Sequence, residues 1–251
     1  MQKAREGCII EASKRNSLAM KHIGEIIAHV KRAFPDAERL TSYARARTLA
    51  RLGPQRLGEL RKVGLTRVHV GLESGDARTL ELMEKGATPE DMVAGGRAAK
   101  EAGLELCFYV LVGAGGKDRL REHATGSAGI CSEVNPDFIR LRTLIVQRGA
   151  PLEAARKTGS FRPTSPLEKL EEVELFLRNL EVEDCELASD HITNYLWLDN
   201  AVVYRGVDGR LPGDKGRMLE ALKDTLEFLG AIESEVLDST ILYDRGLISS
   251  L

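Results

Sequence analysis

Short runs rich in β-branched and apolar residues alternate with longer helical patterns along the first 150 positions, and that rhythm leaves few folds open. The runs are 7–12, 39–43, 66–73, 104–112 and 137–146. Between them, Ile23, Ile26, Ile27 and Val30 recur at helical spacing, and Leu57, Leu60 and Val63 follow Pro54, which stands at a helical first position. Thr88-Pro89-Glu90-Asp91 is a helix start: a capping hydroxyl, a first-turn proline and acids at the positive end. The run 104–112 is almost wholly apolar, as a central strand covered on both faces would be. Strand–helix alternation at this period predicts an α/β fold, with a parallel sheet and right-handed crossovers. Beyond position 150 the pattern changes. Ser165-Pro166-Leu167-Glu168 opens one more helix and a last helix ends near Leu229, with mixed stretches between and after them.

The strand 66–73 carries the most informative end. Val68, Val70 and Leu72 alternate with Arg67, His69 and Gly71, and the run closes on Glu73-Ser74-Gly75. Ligands in parallel α/β sheets gather beyond the carboxyl ends of strands. The corresponding residues elsewhere are Glu11 to Ser13, Ser42 to Arg45, Gly113 to Gly116 and Arg142 to Leu144. Acids, hydroxyls, glycines and arginines on one edge suit a polar ligand with ribose hydroxyls and a charged end.

Other chemistries fit less well. The formal net charge of −2 argues against general affinity for nucleic acid or anionic membranes. No apolar run approaches the ~20 residues that span a bilayer, and the N-terminus lacks a secretory h-region, so the expectation is a cytoplasmic protein with reduced thiols. Cys8, Cys107, Cys131 and Cys185 form no C-x-x-C, and the five histidines no metal spacing, so no metal site is expected. The glycine loop fails as a P-loop, because Leu111 stands where the first glycine belongs and Asp118 where Ser or Thr belongs. The basic cluster from Arg45 to Arg67 lacks interleaved aromatics and reads as a solvated face.

Taken together, Thr41-Ser42-Tyr43-Ala44-Arg45, VHVGLESGD, Met83-Glu84-Lys85-Gly86 and the strand–glycine run 104–116 resemble the radical S-adenosylmethionine (radical SAM) superfamily, in its Elp3-like branch. The likeness is good over residues 7–150 and weaker beyond. It implies a partial (β/α) TIM-like barrel of parallel strands over 1–150, missing the first βα unit, and a mainly helical C-terminal extension over 151–251. It also implies S-adenosylmethionine (SAM) as cofactor. Glu11 and Ser13 would lie by the methionyl amine, Ser42 among the polar contacts and Glu73 on the ribose hydroxyls, with Ser74 beside it. Lys85 would pair with the SAM carboxylate, Gly113 would pass the adenine, and Leu144 and Ile145 would give late-strand contacts. The superfamily's C-x-x-x-C-x-x-C motif is absent, so a 4Fe–4S cluster is expected only in a complete form, with this chain alone unable to hold one. The alternative is a non-catalytic relative that binds a nucleoside-like ligand or a protein partner. The substrate stays unidentified, with Asp190, His191 and Asn194 as candidates to face it. A second subunit could cover the edge strand 7–12.

Overall fold

The computed structural model describes residues 9–11, 17–199 and 201–248, with side chains from residue 22 onward. The elements run β1 (Ile9–Glu11), α1 (Ser17–Ala33), β2 (Thr41–Ala44), α2 (Ala46–Lys62), β3 (Arg67–Glu73), α3 (Ala77–Leu82), α4 (Pro89–Glu101), β4 (Glu105–Val112), α5 (Leu120–Val134) and β5 (Phe138–Thr143). Then come α6 (Pro151–Thr158), α7 (Pro166–Asn179), β6 (Cys185–Ala188), β7 (Leu196–Leu198), β8 (Ala201–Tyr204), β9 (Asp208–Leu211), α8 (Lys215–Gly230), β10 (Val236–Asp238) and α9 (Ser239–Asp244).

The main sheet has the order β1-β2-β3-β4-β5-β6-β9, parallel throughout except at the last pair. This is the expected α/β sheet, with each strand laid beside its predecessor. Helices pack on one face, where Val68, Val70 and Leu72 of β3, Leu106, Phe108 and Val110 of β4, and Ile139 and Leu141 of β5 are all buried. The capping boxes at Thr88 and Ser165 form as the sequence predicts, each hydroxyl accepting from the third helical N–H. Pro54 does begin a helical segment, but a preceding turn of helix leads into it across Gly53, whose φ of +69 breaks the run.

Past position 150 helices supply more residues than strands do, yet the sheet continues. β6 pairs with β5 and β9 with β6, while β10-β7-β8 form a separate antiparallel sheet. Those strands are three or four residues long, too short for a period of two to stand out in the sequence.

Candidate functional site

Strand alternation gives the sheet two chemically different faces. Registers Tyr43↔His69, Gly71↔Tyr109 and Tyr109↔Arg140 place those residues, with Arg67 and Arg142, on the face away from the helices; past Gly71 the register shifts, and Glu73 turns its side chain back over Gly71 on the same face. Here that face is called the inner one.

Glu73 ends β3 on the inner face in a left-handed conformation, φ +59, which costs a non-glycine residue about 1 kcal/mol or more and recurs at functional sites. Its Oε1 accepts from Lys85 Nζ at 2.8 Å, and both side chains stay partly exposed. The pair lies folded over Gly71. A Cβ there would come within 2.1 Å of Glu73 Oε1 and 2.8 Å of Lys85 Nζ, so the missing side chain is what leaves the space.

The three residues after Glu73 anchor the tip from behind. Ser74 is fully buried; its Oγ accepts from the Asp76 N–H at 3.0 Å and lies 2.8 Å from His123 Nδ1 of α5. His123 Nε2 is 3.1 Å from Glu172 Oε1 of α7. That oxygen also accepts from the Gly113 N–H, at 2.8 Å. In the neutral tautomer that donates from Nε2 to this carboxylate, Nδ1 accepts from the Ser74 hydroxyl. One buried chain of hydrogen bonds therefore joins the tips of β3 and β4. Gly75 donates to Ser127 Oγ at 2.8 Å and sits so close to Gly126 that a Cβ would meet its backbone at 2.1 Å. Asp76 caps α3 through the Thr79 N–H and takes a two-pronged grip from Arg119, at 2.6 and 2.7 Å. That grip holds the Asp76 carboxyl down at about 2.

The residues singled out from the sequence separate into groups. Glu73 and Lys85 come together. Gly113, with φ +86, and Leu144 meet at neighbouring tips, where Leu144 N–H donates to Val112 O at 2.8 Å, and Ile145 follows on the loop. Ser42 does not join them: its register partner is Val68, which puts it on the helix-covered face and well below the tip. Ser74 points into the interior. Glu11 ends β1 level with Tyr43, its side chain beyond what is described, and Ser13 lies outside the described residues. Asn194 is spent on Leu141 O, Ser189 O and the Thr143 hydroxyl, and His191 caps a short 3-10 turn. Asp190 reaches toward the inner face, 3.9 Å from Arg140.

Sequence reasoning missed the middle of the inner face. Tyr43, His69 and Tyr109 form a three-ring cluster with centroids 5.2 to 6.3 Å apart, and Arg140 and Arg142 stand beside it. Tyr43 and Arg142 stand among the strand-end residues above, whereas His69 and Arg140 showed only as polar positions of the alternation in β3 and β5, and Tyr109 lay within the apolar run 104–112. Burial first, then Arg67, Arg140 and Arg39, push the His69 pKa down to about 4.

Comparison with known proteins now has a geometry to meet. The Radical SAM superfamily profile matches residues 15–124. Those residues form a radical SAM region. The tRNA uridine(34) acetyltransferases of Methanocaldococcus jannaschii and M. infernus are 24% identical over 120 residues and 26% over 121. The chain spans only 22% of their length, against 47% and 46% of its own. In structure it resembles the archaeal M. infernus Elp3 with an N-terminal deletion, at a TM-score of 0.58 and 16% identity, over 96% of this chain and 59% of that one. At that identity the likeness speaks for the fold.

The radical SAM region implies SAM and a 4Fe–4S cluster. For SAM the fit is favourable: the space over Gly71 presents one acid and one cation, partly open to solvent, where the ligand carries ribose hydroxyls and a carboxylate. The cluster has no fit among the described residues, which include no group of three His, Cys, Asp or Glu able to hold a metal ion. Cys107, Cys131 and Cys185 are interior, and burial pushes the Cys107 thiol up to about 11 and that of Cys185 to about 12, far from the thiolate a metal needs.

Proposed function

We propose that this chain provides the SAM-binding part of a radical SAM protein, with Glu73 and Lys85 as its principal polar contacts. The observation that carries the reading is the Glu73–Lys85 pair, poised over Gly71 on a strained strand tip that a buried hydrogen-bond chain holds from behind. Bound SAM would supply the adenosyl group and sulfonium that the superfamily uses for radical chemistry. The chain's own part is to hold the ligand. Glu73 would accept from the ribose hydroxyls and Lys85 Nζ would donate to the methionine carboxylate, each exchanging its present partner for a ligand group. Gly113, Leu144 and Ile145, on the tips of β4 and β5, offer a turn and apolar contacts to the adenine.

Calorimetry with SAM tests the reading. Glu73→Ala and Lys85→Met should each weaken binding by roughly ten- to a hundredfold, the equivalent of about 1.5–3 kcal/mol for a hydrogen bond to a charged group. Unchanged affinity in both variants would sink it. The second reading, a relative that binds a nucleoside-like ligand without radical chemistry, rests on the interior position of the three described cysteines. Anaerobic iron–sulfide reconstitution separates the two: about four irons per chain would overturn the cluster-free version.

A further inference from the structure

The middle of the inner face is a second site. Tyr43, His69, Tyr109, Arg140 and Arg142 occupy neighbouring inner positions on four adjacent strands, β2 to β5. Tyr43 is 41% exposed, which is unusual for an aromatic ring on a central strand, and its ring lies only 30° from the plane of Tyr109. Tyr109 Oη and His69 Nδ1 are 3.3 Å apart, fixing both rings beneath it, and His69 Nε2 is buried without a partner among the described residues.

The arginines are unequally engaged. Arg67 is satisfied: it is buried, 2.8 Å from Glu105, with its guanidinium 3.7 Å from the centroid of Phe138. Arg142 has no carboxylate partner among the described residues. Its Nη1 donates to Leu141 O at 2.9 Å and its guanidinium stands 5.4 Å from the Tyr109 centroid. Arg140 meets Asp190, which is largely exposed and 3.9 Å away, and the buried Cys107 thiol. A guanidinium has five donors, so two half-buried ones leave most of theirs unused next to a low-dielectric wall of rings.

We propose that this patch binds a flat ring bearing an oxyanion, the ring stacking on Tyr43 and the oxyanion lying between Arg140 and Arg142. The two guanidiniums alternate on one strand and converge on the same side, a spacing that suits two-point contact with a phosphate or carboxylate. The patch adjoins the proposed SAM site without sharing its polar residues: Tyr109 is the register partner of Gly71, while neither Glu73 nor Lys85 takes part.

Phenylphosphonate is the probe, with inorganic phosphate for the anion alone and chloride at matched ionic strength as the screening control; no SAM is present. His69 gives the readout, because Arg67, Arg140 and Arg39 together with the Tyr43 and Tyr109 rings surround it, and its NMR resonance is assigned from the spectrum of His69→Gln. Saturating phenylphosphonate should raise the His69 pKa from about 4 by roughly one unit beyond the chloride control. Arg142→Gln should weaken phenylphosphonate at least tenfold, and Arg140→Gln tests the same contact should the first variant fold poorly. Tyr43→Ala should bring phenylphosphonate down to the affinity of phosphate and leave phosphate unchanged. A His69 titration that phenylphosphonate moves no further than chloride would overturn the proposal. So would phosphate binding as tightly as phenylphosphonate, or both arginine variants binding like the wild type.

Discussion

The two faces of the sheet use the same strands for opposite ends. Toward the helices, β3 presents Val68, Val70 and Leu72, all at most 1% exposed; on the inner side it presents Arg67, His69, Gly71 and Glu73. The covered face is sealed even where it is polar, since Ser74, His123 and Glu172 Oε1 bond to one another without solvent. The inner face keeps partly exposed charges, a glycine gap and incompletely paired arginines. Stability and recognition are thus divided by a one-residue alternation, and a mutation's effect should depend on which side of the strand it falls.

Substitutions behind the tip should act on folding first. Gly75→Ala drives a methyl into the Gly126 backbone, where neither partner can yield, and should cost about 3 kcal/mol or more in chemical denaturation. His123→Ala strands the Ser74 hydroxyl and the Glu172 carboxylate in the interior, an expected loss of about 2–4 kcal/mol. Gly71→Ala should break the symmetry of these results. Its methyl meets only the mobile ends of Glu73 and Lys85, so the denaturation midpoint should move by less than about 1 kcal/mol while SAM affinity falls severalfold. If Gly71→Ala destabilises as strongly as Gly75→Ala, the division between faces is wrong.

Acid should also distinguish the two sides, by smaller amounts. His69 stays neutral in the folded chain down to about 4, whereas the unfolded chain takes up its proton near 6.5. The unfolded state therefore binds more protons between those values, and stability should decline as pH falls through that window. Asp76, held at about 2 chiefly by Arg119, acts lower. Its contribution is complete above about 4 and is lost as pH falls toward 2. His69→Gln should flatten the first decline and leave the second.

Much of the frame was legible in advance because strand periodicity and helix caps are local. The β3 strand, the Thr88 and Ser165 caps and the glycine break after Val112 all follow from neighbouring residues. Glu73 and Lys85 stood out by resemblance, and the structure adds their direct contact. Ser42 and Ser74 neighbour inner-face residues and yet point away, because register decides a side chain's face and one residue's offset reverses it. His123 and Glu172 carried no sequence signal, since their partners lie 49 and 59 positions away along the chain. The buried Lys169–Asp238 pair, beside a small pocket between α7 and the small sheet, was hidden for the same reason.

The most direct measurement is a calorimetric cycle with SAM and methylthioadenosine, which keeps the ribose and adenine but has no carboxylate. Lys85→Met should weaken SAM alone, leaving methylthioadenosine unchanged, whereas Glu73→Gln should weaken both by a similar factor. If Lys85→Met affects the two ligands equally, or Glu73→Gln affects neither, the strand tip does not hold the cofactor in this way.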